Sequence, residues 1–460
     1  MRHPLRQTLR WGFGLLLLAV LGTALWLWRA PPALIRVAAG YTAKIICSSV
    51  FVAGREAESV LQDDVQAPGH PLLRLMQVKV DHEARLVRAD LLGFAGHGLA
   101  VARDGTGCAA VPDGDLARAR AHAVSLPPLP PPPAARWPEG DEPAAPLPAL
   151  ASLLDDPQLV GPGLRAVLVL HRGRIVAERY GSGFSAATPL LGWSMTKTVT
   201  AALIGTLVRE GRLDVRRDDL FPAWAADPRR GIAVQQLLAM SSGLSFNEDY
   251  GQVTDVTRML YLEPDMAAYA RAQPLRHPVG SHFSYSSGSS VLLARLWQDA
   301  APAPALAWPR QAVFGPLGMR SAVMEADAHG TFVGSSYMYA TGRDWARFAL
   351  WLLQDGQWGG RPLLPEGWVA RMRAPSSAAP DEYSQGQLWL HGPHGDAPAG
   401  RHPDAEFGLP ADTVWMLGHD GQSIALVPSR ELAVIRLGLT PSRLQYRPQR
   451  LLQAVLRTLP

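Results

Sequence analysis

The sequence predicts an α/β (α+β) protein whose main part is an antiparallel sheet flanked by helices. A hairpin pattern, a long helix of apolar period and a closing series of strands indicate this fold class. All of them lie in one large unit, residues 149–460. The segments are the strands 165–170 and 174–180 around the turn 171–173, the helix 194–210 followed by Gly211 as a cap, the strands 414–417, 423–427 and 432–437, and a terminal helix 448–459.

Length and composition limit the class of protein. The chain has 460 residues, of which 47% are apolar and 18% charged, as in globular rather than disordered proteins. This length suffices for one large domain and a smaller unit. The net charge is +4 and the basic residues are scattered singly, so we expect no nucleic-acid partner. The sequence identifies no protein partner.

The first 29 residues have the pattern of a membrane-targeting segment. Residues 1–10 contain three arginines, and Trp11–Trp28 is an uncharged apolar run that Arg29 ends. The run is long enough to cross most or all of a bilayer core, and the arginines would keep residues 1–10 in the cytoplasm. We expect a single-pass anchor in a bacterial inner membrane, with the remaining chain in the periplasm. The alternative is a signal peptide cleaved near residues 22–24, which would release the protein into the periplasm.

Residues 31–124 are predicted to form a small strand-rich unit. Met76–Val80 and Arg85–Ala89 flank a hairpin turn. Cys47 and Cys108 both follow the apolar run, and a pair of thiols in an oxidising compartment usually forms a disulfide. We therefore expect a Cys47–Cys108 disulfide; the alternative is two buried free thiols. The sequence does not decide whether this unit is a spacer or a packing partner of the large unit.

A Pro/Ala-rich stretch, residues 125–148, separates the two units. It begins with Leu126-Pro-Pro-Leu-Pro-Pro-Pro-Pro133. Consecutive prolines favour a stiff, extended chain that enters neither a sheet nor a helix interior. We interpret this stretch as a semi-rigid linker.

Lysine is scarce in this chain, which singles out Lys197. Of 44 basic residues only Lys44, Lys79 and Lys197 are lysines. Arginine cannot give up its proton at ordinary pH, whereas a desolvated lysine can, and so can act as a general base. Lys197 stands three residues after Ser194 and would share its helix face. The pair therefore suits a nucleophile and its base.

Three segments in order carry a family resemblance. They are Ser194-Met-Thr-Lys197, Ser284-Tyr-Ser-Ser287 and Gly418-His-Asp-Gly-Gln422. Over residues 150–460 this order resembles the serine β-lactamase and penicillin-binding-protein superfamily, in particular its class C β-lactamase and esterase branch. The resemblance implies a β-lactamase-like fold, with a helical subdomain beside the antiparallel sheet, and a serine hydrolase that needs no cofactor.

The resemblance also implies a role for each matching residue. Ser194 would attack a carbonyl carbon and form an acyl-enzyme, with neutral Lys197 taking its proton. Tyr285 would protonate the leaving group and then help to activate the deacylating water. The backbone N–H groups of Ser194 and Gln422 would form an oxyanion hole, with Gly421 allowing a close approach of that strand.

Departures from the family pattern narrow the expected substrate. His419 and Asp420 stand where penicillin-recognising members carry Lys-Thr, and the second motif ends in Ser287 rather than asparagine. An aspartate would repel the carboxylate of a β-lactam or a stem peptide. We therefore expect hydrolysis of simple esters or amides, with His419, Asp420, Gly421 and Ser287 at the substrate. A β-lactamase or penicillin-binding D,D-peptidase is the alternative.

Three aromatic residues are further candidates for the substrate site. Leu244-Ser-Phe-Asn-Glu-Asp-Tyr250 resembles the segment of aminohexanoate-dimer hydrolases that supplies a second tyrosine near the leaving amine. Tyr250 would then position or protonate that nitrogen; an ordinary loop tyrosine fits equally well. Trp193 and Trp389 would line an apolar acyl pocket, although tryptophans also pack in protein cores.

Other chemistries do not fit the sequence. It contains no Gly-x-Ser-x-Gly elbow, no His-Glu-x-x-His metal site, and no Walker or dinucleotide-binding fingerprint. We therefore expect neither a cofactor nor a metal. A non-catalytic envelope scaffold or sensor stays open as a different class of function.

Overall fold

The computed structural model describes residues 4–143, 145–395 and 402–459. The helices are α1 (Pro4–Arg29), α2 (Ala33–Phe51), α3 (Ala57–Val60), α4 (Leu116–Ala121), α5 (Pro148–Leu154), α6 (Pro157–Val160), α7 (Thr196–Arg209), α8 (Val234–Leu238), α9 (Asp255–Leu262), α10 (Met266–Ala272), α11 (Ser287–Ala300), α12 (Gly342–Leu353), α13 (Trp368–Arg373) and α14 (Pro448–Thr458). The strands are β1 (Met76–Asp81), β2 (Leu86–Leu91), β3 (Ala95–Arg103), β4 (Gly107–Ala110), β5 (Leu164–His171), β6 (Arg174–Tyr180), β7 (Leu190–Leu191), β8 (Val323–Met324), β9 (Met338–Ala340), β10 (Gln357–Trp358), β11 (Arg361–Pro362), β12 (Pro375–Ser376), β13 (Ala379–Ser384), β14 (Val414–Gly418), β15 (Gln422–Val427) and β16 (Leu432–Gly438).

A central antiparallel sheet confirms the predicted fold class. Its five described strands lie in the order β14, β15, β16, β5, β6. β5 and β6 form the predicted hairpin through Arg172 and Gly173, whose φ values of 47° and 75° suit a type I′ turn. β16 pairs with β5, with Ile435 opposite Leu168. The first and last strands of the large unit therefore lie side by side.

Alternating side chains of β5 place helices on both faces of this sheet. Leu168 and Leu170 belong to the core that contains α7, α11 and α12. Val167 and Val169 belong to a second core, formed with α5, α6 and α14. α7 is buried from Thr196 to Leu207 on the first of these faces. Its amino-terminal turn is therefore fixed by packing along nearly the whole helix.

The small unit contains the predicted hairpin and also a helix that the sequence analysis missed. β1 to β4 form an antiparallel sheet in chain order, with Met76 opposite Leu91. α2 lies against this sheet so closely that a Cβ on Gly98 would be 2.1 Å from the Ala39 carbonyl oxygen. α2 was not predicted because it is buried on most sides and lacks the one-sided apolar stripe of a surface helix.

A buried ion pair joins the small unit to the large one. Lys44 on α2 pairs with Glu325, and their side chains are 1% and 0% exposed. Ser48 and the Cys108 N–H also donate to the Glu325 carboxylate. Lys44 Nζ lies 3.9 Å from the centre of the Tyr337 ring. The small unit is thus a packing partner of the large unit rather than a spacer.

Two further connections hold the amino-terminal half in place. Cys47 on α2 and Cys108 on β4 are joined by a disulfide. In the Pro/Ala-rich stretch, Trp137 is buried, and Arg347 donates to the carbonyls of Pro138 and Gly140. This part of the expected linker is therefore fixed against the large unit.

α1 is long and apolar enough to span a membrane by its length and composition. The segment Trp11–Arg29 has none of its residues buried and exposes Trp11, Leu16 and Trp28. A membrane anchor and a signal sequence share these features. α2 passes the same test of length and composition, but 72% of it is buried, as in a core helix of a soluble domain.

Candidate active site

Ser194 lies in a strained turn that leads into α7. Trp193–Met195 form this turn, and α7 begins at Thr196. Trp193 has a φ of 47°, an unfavourable value for a bulky side chain, and such strain concentrates at functional sites. Ser194 is half-buried, whereas Trp193 and Met195 are buried. The serine is therefore accessible at the end of a rigid, buried helix.

Lys197 is the second residue of α7 and is buried beside Ser194. Its Nζ donates to Ser194 Oγ at 3.0 Å, to Ser287 Oγ at 3.1 Å and to the Ser335 carbonyl at 3.2 Å. Burial lowers the pKa of Lys197 to about 8, and the nearby Glu248 carboxylate partly offsets this effect. A lysine with this pKa is partly neutral near neutral pH, so it can accept a proton from the serine.

Tyr285 completes the group around Ser194. Its side chain lies beside that of Ser194, and its ring centre lies 4.6 Å from Lys197 Nζ. Burial, and secondly the charge of Glu248, raises the pKa of Tyr285 well above its ordinary value. The phenol therefore stays protonated at neutral pH and suits a proton donor. The structure thus brings together the three predicted catalytic side chains.

Glu248 is a site residue that the sequence analysis missed. The Ser287 N–H donates to Glu248 Oε2 at 2.7 Å, and the Ser287 hydroxyl donates to Oε1. Glu248 Oε1 lies 3.9 Å from Lys197 Nζ. Burial raises the pKa of Glu248, whereas Lys197 and the Ser287 hydrogen bonds lower it. In the sequence, Glu248 is a single glutamate two residues before Tyr250. It was not predicted because a single glutamate in a loop forms no recognisable motif.

Ser287, predicted to contact substrate, lies in a buried position. The residue is fully buried at the start of α11. Its hydroxyl lies between Lys197 Nζ and Glu248 Oε1, bonded to both. Ser287 therefore links Lys197 to the Glu248 carboxylate through hydrogen bonds.

The third motif lies beside the turn that carries Ser194. Gly418 ends β14 and approaches Gly192 so closely that a Cβ on Gly418 would be 2.3 Å from the Gly192 carbonyl oxygen. The close approach predicted for Gly421 is therefore made by Gly418. Gly421 has a φ of 81°, which favours glycine, and packs against Arg436.

Gln422 begins β15, directly after this motif. Its side-chain Oε1 accepts from the Gly438 N–H at 2.8 Å, and its Nε2 donates to the Gly438 carbonyl. The amide side chain is thus held against the neighbouring strand β16. This fixes the backbone of Gln422, whose N–H we continue to expect beside the Ser194 N–H in an oxyanion hole.

Trp193, Tyr250 and His419 form one aromatic cluster. The Tyr250 and His419 ring centres are 4.6 Å apart, and that of Trp193 lies 5.4 Å from His419. Burial raises the pKa of Tyr250 well above its ordinary value, so its phenol also stays protonated. Asp420 Oδ1 lies 3.5 Å from His419 Nε2, and the aspartate side chain is 14% exposed.

Trp389 belongs to a different aromatic cluster. Its ring centre lies 5.0 Å from that of Tyr285 and 5.1 Å from that of Tyr383. The two tryptophans predicted to line one acyl pocket therefore flank different tyrosines of the site. Trp193 packs near Tyr250, and Trp389 packs on Tyr285.

A cleft of about 470 Å³ extends from the first aromatic cluster to the small unit. Both units contribute to its walls. The large unit supplies Trp193, Glu248, Tyr250, His419 and Asp420, and α2 supplies Leu34, Val37, Ala38 and Tyr41. The sequence analysis did not predict the second set, because no sequence pattern brings residues 34–41 next to residue 419.

Comparisons with known sequences identify a family and a relative. A family model described as Beta-lactamase matches residues 157–455. A 6-aminohexanoate-dimer hydrolase from Paenarthrobacter ureafaciens is 28% identical over 251 residues. That match covers 51% of this chain and 64% of the relative, which is less than two thirds of the relative's length.

Solved structures share the fold. A penicillin-binding protein homolog from Caulobacter crescentus superposes with a TM-score of 0.52 at 18% identity, covering 69% of this chain and 99% of its own. A family VIII carboxylesterase superposes with a TM-score of 0.52 at 17% identity, covering 69% and 99%. At such low identity these structures show the fold alone.

Proposed function

Because the chain belongs to the β-lactamase family, we propose that it is a serine hydrolase that cleaves esters or small amides. The observation that carries this proposal is Lys197 Nζ, buried and 3.0 Å from Ser194 Oγ. A perturbed lysine beside an accessible serine is a typical arrangement for catalysis. A scaffold or sensor gains nothing from it.

In the acylation step, neutral Lys197 accepts the proton of Ser194 as Oγ attacks the carbonyl carbon. A positioned base of this kind contributes about 10²- to 10⁴-fold in rate. The backbone N–H groups of Ser194 and Gln422 stabilise the oxyanion that forms. Glu248, linked to the lysine through Ser287, favours the ammonium form that Lys197 adopts after the transfer.

Tyr285 completes the cycle as a proton donor. Its protonated phenol gives a proton to the leaving alcohol or amine and can then recover one from the Lys197 ammonium. A water molecule then attacks the acyl-enzyme. The groups that accepted the Ser194 proton now accept one from the water, and Ser194 recovers its proton as it leaves the acyl carbon. Tyr250, beside His419, is placed to hold a leaving amine.

The cleft favours a neutral or amine-bearing substrate. Its apolar walls come from α2 and the aromatic cluster, and Asp420 supplies a negative charge. An anionic β-lactam or stem peptide would be repelled by this carboxylate, which makes the β-lactamase or D,D-peptidase alternative the weaker one.

We propose that α1 anchors the protein in the bacterial inner membrane, with the catalytic unit in the periplasm. The exposed apolar surface of α1 and the three arginines before its apolar run Trp11–Trp28 support this orientation. The Cys47–Cys108 disulfide fits an oxidising compartment.

A fluorophosphonate probe tests the proposal directly. The wild-type chain should be labelled on Ser194, and Ser194→Ala should lose both labelling and turnover of an ester panel. Ser281→Ala, a change at an exposed nearby serine, is the control and should retain both. Labelling that persists in Ser194→Ala would contradict the assignment. Labelling by a fluorescent penicillin would favour the penicillin-recognising alternative.

A further inference from the structure

Two histidines and a glutamate converge outside the catalytic group. Glu382 lies on β13, and His391 and His394 follow Trp389 on the adjacent segment. One ligand atom from each of the three lies within 4.8 Å of the others. The two imidazoles approach different oxygens of one carboxylate. His391 Nε2 lies 3.9 Å from Oε2, and His394 Nε2 lies 3.7 Å from Oε1.

The tautomer of His391 follows from its surroundings. Its Nδ1 lies 2.7 Å from the Gly392 carbonyl oxygen, which can only accept a hydrogen bond. Nδ1 therefore carries the proton, and the Nε2 lone pair of the neutral ring is directed toward Glu382. The Nε2 lone pair of His391 and the Glu382 carboxylate are then two electron-pair donors beyond hydrogen-bond distance of each other. A cation bound between them would stabilise this arrangement.

We propose that Glu382, His391 and His394 bind one zinc ion. Ligand bonds of about 2.0–2.2 Å in a tetrahedral site place neighbouring ligand atoms roughly 3.3–3.6 Å apart. The observed distances to Glu382 are 3.7 and 3.9 Å, and the three ligand atoms lie within 4.8 Å of one another, so a bound ion would draw them together by up to roughly 1.5 Å. Two histidines and one glutamate are an established zinc ligand set, and His391 carries the outer hydrogen bond that orients such ligands. Glu382 and His394 are partly exposed, which leaves a fourth position for water.

The backbone around the site is already fixed. Asp404 is buried, and its carboxylate accepts hydrogen bonds from the Gly392 N–H at 2.9 Å and from Trp415 Nε1 at 2.8 Å. The Leu390 N–H donates to the Glu382 carbonyl at 3.0 Å, which holds the two ligand-bearing segments together.

The same two segments carry aromatic residues of the active site. Tyr383 follows Glu382, Trp389 precedes His391 by two residues, and both rings pack on Tyr285. A bound ion would therefore stabilise the wall behind Tyr285 without entering the cleft.

Calorimetric titration of the full-length protein with Zn²⁺ tests this site. The wild type should bind one ion per chain, and His394→Ala should weaken that binding at least about ten-fold, the lower limit for losing even an outer partner of a metal ligand. His394 is chosen because its side chain is 56% exposed, so its loss leaves the core intact. Glu382→Gln, which removes the negative charge of the ligand, should weaken Zn²⁺ binding in the same way.

A second histidine pair provides the control. His277 and His282 stack with ring centres 4.1 Å apart, so His282→Ala removes an alternative site for zinc. Its affinity for Zn²⁺ should equal that of the wild type. Equal affinity of His394→Ala and wild type, or loss of binding in His282→Ala, would overturn the proposal. Absence of wild-type binding would also overturn it.

Discussion

At the scale of single residues, the buried lysines Lys44 and Lys197 differ in the groups that surround their side-chain amines. Lys44 is in direct contact with the Glu325 carboxylate, and Ser48 adds a further hydrogen bond. Lys197 lies 3.9 Å from its nearby carboxylate, that of Glu248, and bonds to neutral oxygens of serines. The first arrangement keeps an ammonium in place, whereas the second leaves room for a neutral amine. Scarcity of lysine alone therefore does not identify the base, since it applies to both.

Replacement of Lys197 by arginine tests the role of the amine. Lys197→Arg keeps the charge but cannot accept a proton, so kcat/KM should fall by about 10²-fold or more. Lys79→Arg, the same change at an exposed position of β1, is the matched control and should retain full activity. If Lys197→Arg kept most of its activity on an ester panel, Lys197 would act through charge alone.

The pH dependence of the reaction follows from the Lys197 pKa. Only the neutral amine accepts a proton, so kcat/KM should rise with pH and level off above about pH 8. Glu248 raises this pKa, so Glu248→Gln should move the midpoint to lower pH. Asp249→Asn, at the exposed neighbour, should leave the midpoint unchanged. A midpoint for Glu248→Gln at or above the wild-type value would show that Glu248 does not act on the lysine.

We expect selectivity against anionic substrates to depend on Asp420. Two carboxylates at about 4 Å repel by roughly 1 kcal/mol in water and about 4 kcal/mol near a protein surface, or one to three powers of ten in affinity. Asp420→Asn should raise kcat/KM for anionic substrates relative to neutral ones. Asparagine is preferred to threonine because Asp420 has a φ of 56°, which a β-branched residue resists. An unchanged ratio of the two kcat/KM values would assign the selectivity to the histidine at 419 instead.

At the scale of secondary-structure elements, local patterns predicted most of the large unit. The β5–β6 hairpin has a two-residue turn, the β14–β16 series consists of short apolar runs, and α7 has a helical apolar period with Gly211 at its end. α2 has no such pattern because it packs against both the β3 strand and α9. Glu248 was missed for a related reason, since its partners Lys197 and Ser287 are distant in sequence.

α2 also forms one wall of the cleft, which a larger side chain can narrow. Leu34 lines the cleft and is half-buried, so Leu34→Trp should project into it without overpacking the core. We expect kcat/KM for long acyl or leaving groups to fall roughly 10-fold, with short esters and probe labelling little affected. Arg36→Trp, on an exposed position of the same helical turn, is the control. Equal effects on long and short substrates would argue against a wall at Leu34.

At the scale of the whole molecule, the two units share one hydrophobic core. Residues of α2 and of the β2 and β3 strands belong to the same buried cluster as α7 and α11. The disulfide closes a loop of 61 residues between α2 and β4, and such a cross-link stabilises a fold by about 4 kcal/mol in the chain-entropy model. The sequence predicted the cysteine pair, but not that the small unit completes the core and the cleft of the large one.

Deletion of amino-terminal segments separates the anchor from the core. Removal of residues 1–29 should release the protein from membranes and change its melting temperature and its turnover of esters little, because none of residues 11–29 is buried, even though Leu27 packs against the core. Removal of residues 1–124 takes away the α2, β2 and β3 side of the shared core, together with the Lys44, Ser48 and Cys108 partners of the Glu325 carboxylate. The melting temperature should then fall by roughly 10 °C or more. In the full-length chain, Lys44→Met leaves Glu325 buried without its partner, which costs about 3–5 kcal/mol, and adding Glu325→Gln should recover part of that loss because it removes the unpaired charge. A 1–124 deletion that melts with the wild type would contradict the shared core.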